Sequence, residues 1–181
     1  MNQENKTAEQ QKTPNFAAAG EMKSGEVQSP DVLLYSDLYK NAMMGADSAA
    51  RMAGKANNAE QTDNADKSAA LRRLITDMME GYAGYAKHAA QALSELHVPA
   101  EQLTALEKLP AEIGITVQTL FDKSVSKCAE IMINGVTMGI IDMKKAQRVC
   151  SENGCSPEAY RLAGDLIGFC EQYVERLKEF L

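Results

Sequence analysis

Residues 128–143 read CAEIMINGVTMGIIDM, and this stretch constrains the fold more than any other. Eleven consecutive residues, 131–141, carry no charge, and Gly135 and Gly139 stand four apart among them. Crossing a bilayer takes about 20 mostly apolar residues. Glu130 and Asp142 close the run at roughly half that length, so it is not a membrane span. Wound as a helix, it carries two apolar stripes side by side. Cys128, Ile131, Met132, Gly135, Met138, Gly139 and Ala146 form one, and Ile133, Val136, Ile140 and Met143 form the other. Together they span roughly 200°, against about 100° for a surface helix of a bundle. The first stripe is expected to face the core, with Gly135 and Gly139 admitting a neighbouring helix closely. The second is expected to be an interface, because a large apolar face left open marks an interaction site.

The flanking segments are helical too. In SPDVLLYSDLYKNAMMGADSAARMAGKA, the residues Leu34, Leu38, Ala42, Ala46, Ala49 and Ala53 recur at three- and four-residue spacing, making an amphipathic helix with a small-residue stripe. Polar NNAEQTDNAD makes a turn. A second helix from about Lys67 to Leu96 buries Leu71, Ile75, Met78, Tyr82, Tyr85, Ala89 and Leu93. A connection this short makes the two helices antiparallel neighbours. The last helix has Ser156 at its cap, Pro157 at the first helical position and Glu158 in the first turn. Leu162, Leu166, Cys170, Tyr173, Leu177 and Phe180 follow along one face. Gly154 in the preceding ENGCSP suits a left-handed stop.

Length then decides the topology. A third helix unbroken from Ala111 to Glu152 would run ~60 Å, well beyond its partners. A break at FDKSVS, with Ser124 or Ser126 capping a new helix that ends near Glu152, removes the mismatch. Residues 96–122 become a crossover with a short helix around 113–121, whose Ile113, Val117, Leu120 and Phe121 cover part of the second stripe. A second copy of the chain covers the rest, making a homodimer. The expected fold class is all-α: a ferritin-like four-helix bundle over residues 31–181, with a long crossover between the second and third helices. LYKNAMMGADSAARM, IGITVQTLFDKS and AEIMINGVTMGIIDMKKA together resemble short bacterial ferritin-like proteins of unassigned function. The resemblance implies the bundle and nothing about an activity.

Residues 1–30 are rich in Gln, Asn, Lys, Glu, Ser and Gly and hold one aromatic, Phe16. Too little apolar surface is available there to offset the entropy of ordering, so a disordered polar tail is expected. NFAAAG within it is a candidate motif for a protein partner. The tail shows no secretory signal, and the expected location is the cytoplasm, where four cysteines stay reduced. A net charge of −6 opposes binding to nucleic acid or acidic membrane, both of which need clustered Lys and Arg.

Chemistry finds little foothold. Di-iron ferritin-like sites need Glu-x-x-His on two helices, but Tyr85 precedes His88 by three residues and Ser94 precedes His97 likewise. The sequence predicts no catalytic residue, no cofactor and no standard metal site. Asp47, Glu80, Glu130 and Asp142 are the candidate ligands of a degenerate carboxylate site for iron or manganese. Asp142 falls in register with the core stripe and needs a Lys or Tyr partner if it is buried. Cys128 and Cys150 would lie ~33 Å apart on one helix. Cys150 and Cys155 flank a turn and can approach each other, as a redox pair would, but two thiols do not complete a zinc site. Cys128 and Cys170 are expected as small buried hydrophobes. A bundle that works through self-association or protein binding accounts for these features, with metal handling as the alternative.

Overall fold

The computed structural model describes residues 28–56, 65–98 and 124–181. These form four α-helices: α1 (Pro30–Ala56), α2 (Ala65–Glu95), α3 (Val125–Glu152) and α4 (Pro157–Lys178). The all-α class is therefore observed, with no strand among the described residues. Residues 1–27, including NFAAAG, and residues 99–123, including the expected crossover helix, lie outside the described residues.

Local chemistry sets the helix ends. Ser124 caps α3, its hydroxyl accepting from the Lys127 amide at 3.2 Å, and Ser156 caps α4 through the Ala159 amide at 3.2 Å. Ser29 does the same for α1 through Val32 at 3.3 Å. Pro30 and Pro157 each follow their cap serine, where the missing N–H is no loss. Asp31 and Glu158 then place a carboxylate in the positive first turn of their helices. Between α3 and α4 the chain reverses at Gly154, whose φ of 81° is easy for a residue without Cβ.

The contacts fix the direction of each helix. Gly45 of α1 lies against Tyr82 of α2, and Tyr35 near the start of α1 feels the charge of Glu95 at the end of α2. These helices are antiparallel. On the other side of α1, Asn41 Nδ2 donates to the Gly139 carbonyl of α3 at 3.1 Å, and the Cys150 thiol donates to the Pro30 carbonyl at 3.4 Å. So α1 and α3 are antiparallel as well. The α3–α4 hairpin is tied by Gln147 Nε2 donating to the Tyr160 carbonyl at 2.9 Å and by Lys144–Glu171 at 2.6 Å. The order is up, down, down, up, with α2 and α3 running the same way.

The core is one cluster from all four helices. Leu34, Leu38, Leu71, Ile75, Met78, Leu93, Cys128, Met143, Leu166 and Leu177 are all buried in it. Most of the expected stripes of α1, α2 and α4 face inward, while Ala46, Ala53, Tyr85, Leu162 and Phe180 are partly buried at its margin. On α2 and α4 an aromatic layer closes the flank. Tyr82 and Phe169 meet edge to face with centroids 5.3 Å apart, and Phe169 packs on Tyr173 at 4.7 Å. Such pairs add about 0.5–1.5 kcal/mol beyond the area they bury.

Candidate functional site: the outer face of α3

Helix α3 does lie between neighbours, but it is rotated relative to the expected placement. Val136, Ile140 and Met143, the expected interface, are 5%, 9% and 1% exposed and belong to the core. Ile133 is half-buried against the same cluster. These four residues are therefore not a free interface, which corrects the expectation. Met138, placed on the core stripe, is 59% exposed, and Ile141 and Val149 are 48% and 49% exposed. The apolar arc is real: Cys128 and Met132 of the first stripe are buried with the second, and the outward side is the edge that carries Met138, Ile141 and Val149.

The glycines follow from the same rotation. Among the described residues a Cβ on Gly135 would meet nothing within 4 Å, so Gly135 is not a close-packing position between these helices. Gly139 does face α1, where a Cβ would stand 3.2 Å from the Asn41 amide. The tightest approaches are elsewhere. A Cβ on Gly45 would fall 2.6 Å from the Tyr82 ring, and one on Gly81 would overlap Phe169. Small residues beside aromatic ones on neighbouring helices are the signal for these positions, and it lies outside the α3 run.

Two further features shape the outer face of α3. Asp142 is exposed and pairs with Lys145 at 3.5 Å, and Arg148 pairs with Glu152 at 3.9 Å. Two ion pairs neutralise the face within one helix, so it presents apolar side chains among balanced charges. An exposed pair of this kind contributes little to stability.

The candidate carboxylates are not brought together. Asp47 pairs with Arg51 at 2.8 Å, Glu130 with Lys127 at 2.8 Å, and Glu80 is exposed on α2. Each sits beside its own cation or solvent. The cysteines divide instead into two environments. Cys128 and Cys170 are buried, and the Cys170 thiol lies 3.2 Å from the Tyr82 hydroxyl. Burial pushes the Cys170 thiol up to about 11, with the Tyr82 hydrogen bond opposing and Glu171 adding to the rise.

At the end of the bundle shared by the start of α1, the end of α3 and the start of α4, Cys150 and Cys155 come together with Asp31. Their ligand atoms all lie within 4.8 Å of one another. Burial pushes the Cys150 thiol up to about 12, helped by the hydrogen bond to Cys155 and by the charges of Cys155 and Asp31. The Ser156 amide donates to Asp31 Oδ1 at 2.8 Å. Among the described residues this is the group that has both the geometry and the donors for a metal ion.

No family model matches this chain, and comparison with curated proteins and with solved structures finds no significant match. Among the described residues no helix is long and apolar enough to cross a membrane.

Proposed function

We propose that the chain is a non-catalytic, ferritin-like helical bundle that works through self-association, two copies meeting on the outer face of α3. The observation that carries this reading is the outward run of Met138, Ile141 and Val149 on a helix whose other apolar stripe already fills the core. A second copy is the occupant that suits the face. Its charges cancel through Lys145–Asp142 and Arg148–Glu152, so it exerts no net field to select an acidic or basic partner. A two-fold contact sets the same apolar residues against each other.

The ferritin-like part rests on helix direction. Up, down, down, up is the order that one long crossover between the second and third helices produces. The cytoplasmic location and the kinship with short bacterial ferritin-like proteins belong to the same proposal. The alternative, iron or manganese on Asp47, Glu80, Glu130 and Asp142, is disfavoured because Asp47, Glu130 and Asp142 each pair with their own cation and Glu80 is exposed on α2.

Light scattering on the full chain tests association. The wild type is expected to be a dimer at micromolar concentration. Changing both Met138 and Ile141 to Lys is expected to give a folded monomer with stability within about 0.5 kcal/mol of wild type, as exposed substitutions usually do. A wild type that stays monomeric at all concentrations overturns the proposal.

A further inference from the structure

The grouping at the end of the bundle has no place in an association face. Cys150 ends the buried side of α3, Cys155 follows the Gly154 turn, and Asp31 stands in the first turn of α1. We propose that Asp31, Cys150 and Cys155 form a binding site for a thiophilic divalent cation of the zinc class, with a fourth position open to water or an exogenous ligand.

Four observations support it. First, four residues separate the two thiols, within the spacing seen for paired zinc cysteines. The turn is already folded back, with the Cys155 amide donating to the Cys150 carbonyl at 3.1 Å and Gly154 in the left-handed region. Second, Zn–S and Zn–O bonds of ~2.3 and ~2.1 Å put tetrahedral ligand atoms roughly 3.5–3.8 Å apart. Ligand atoms that all lie within 4.8 Å of one another need move only by about an ångström. Third, the donor set is soft: two thiolates select zinc, cadmium or copper(I) over magnesium or calcium. Fourth, the Ser156 amide holds the Asp31 carboxylate at 2.8 Å, the kind of outer contact that orients a metal ligand.

The carboxylate also separates this reading from a simple dithiol switch. A finished disulfide leaves neither sulfur a ligand position that the Asp31 carboxylate could share. A carboxylate within 4.8 Å of both sulfurs opposes formation of the thiolate that would attack an oxidant. A divalent cation reverses that balance. Each thiol gives up one proton as its sulfur binds the ion, the carboxylate joins them, and no electrons are transferred. The remaining cysteines, Cys128 and Cys170, are buried elsewhere in the core, and the sequence holds two histidines, His88 and His97, both exposed on or just beyond α2.

The full chain, reduced with a phosphine and stripped by chelator, is titrated with Cd²⁺ while thiolate-to-metal charge-transfer absorption is followed. Alkylation mapping with and without Zn²⁺ is run in parallel. One equivalent of Cd²⁺ is expected to saturate an absorption that depends on Cys150 and Cys155. Zn²⁺ is expected to protect those two cysteines from alkylation by about tenfold or more, and to leave Cys128 and Cys170 unchanged. Asp31→Asn keeps the acceptor for the Ser156 amide and is expected to weaken binding by about tenfold or more, a loss of the size seen when a metal site is disturbed. Cys155→Ser, at a half-buried position, is expected to abolish the absorption while circular dichroism shows the helices intact. Absence of saturable absorption, absence of protection, or unchanged affinity in Asp31→Asn each overturns the proposal. So does a sample in which mild oxidant links Cys150 to Cys155 but no metal binds.

Discussion

The flank between α2 and α4 and the outer face of α3 use similar residues to opposite ends. On the flank, Gly81 lies against Phe169 and Gly45 of α1 against Tyr82, so each glycine is the space an aromatic ring occupies. On α3, Gly135 is exposed one turn from Met138, and among the described residues no ring lies within 4 Å of where its Cβ would stand. A glycine within an apolar stretch therefore reports close packing only once the opposing side chain is known. The first region is a closed joint within the chain, and the second is a surface exposed among the described residues.

Matched substitutions should break the comparison most forcefully. Gly45→Leu drives a side chain into the Tyr82 ring and is expected to cost at least about 3 kcal/mol, the upper end of overpacking penalties. Gly135→Leu has room and is expected to cost less than about 1 kcal/mol. Urea unfolding of the two variants in dilute solution gives both numbers. Equal losses would mean that α3 is turned differently and that Gly135 faces a neighbour after all.

The thiol buried on the flank adds a pH dependence that an exposed face cannot have. Cys170 is pushed from an ordinary 9.0 up to about 11, first by burial, and burial raises Tyr82 in the same sense. In the unfolded chain these groups lose their protons at lower pH than in the folded one. The folded state then binds more protons, and stability falls as pH rises. Stability is thus complete below about pH 9 and is lost progressively as pH approaches 11, by about 2 kcal/mol for a shift of this size. Cys150, raised to about 12, acts in the same direction. Urea midpoints measured near pH 8 and near pH 10.5 are expected to differ accordingly, and Cys170→Ala is expected to flatten the slope. An unchanged slope in that variant would move the effect to Cys150 or to the tyrosines.

The sequence alone made the helix ends legible, because local rules govern them. Ser156–Pro157 opens α4, Ser124, one of the two serines expected to do so, opens α3, and Gly154 turns the chain between them, each through local geometry. Most of the core stripes of α1, α2 and α4 were legible too, since each of those helices has one apolar face. The rotation of α3 was not. An apolar arc of roughly 200° is satisfied by any core direction that falls inside it, and no local rule chooses among them. Contacts from elsewhere choose: Asn41 bonding the Gly139 carbonyl, Lys144 reaching Glu171 and Gln147 reaching the Tyr160 carbonyl. These contacts accompany the orientation that buries Val136, Ile140 and Met143 in the common core. The thiol cluster was half legible for the same reason. Cys150 and Cys155 flank one turn, whereas Asp31 joins them only because the first turn of α1 packs beside that turn.

The smallest effect is the most discriminating one for the outer face. Gly in an exposed helix interior is less stable than Ala by roughly 0.5–1 kcal/mol, because its backbone loses more freedom on folding. Gly135 meets that condition, with nothing among the described residues within 4 Å of where a Cβ would stand. Gly135→Ala is therefore expected to stabilise the monomer by that amount in dilute solution, measured by urea or thermal unfolding. The same methyl group lies beside Met138, within the proposed contact between copies. If a second helix packs there, part of the gain is lost once the protein is concentrated enough to dimerise, because the methyl occupies space the partner needs. The unfolding midpoints of variant and wild type should then converge as concentration rises. A gain that is constant from dilute to concentrated solution would place the contact between copies away from Gly135. No gain in dilute solution would show that Gly135 is covered within the monomer, and the difference between the two regions would disappear.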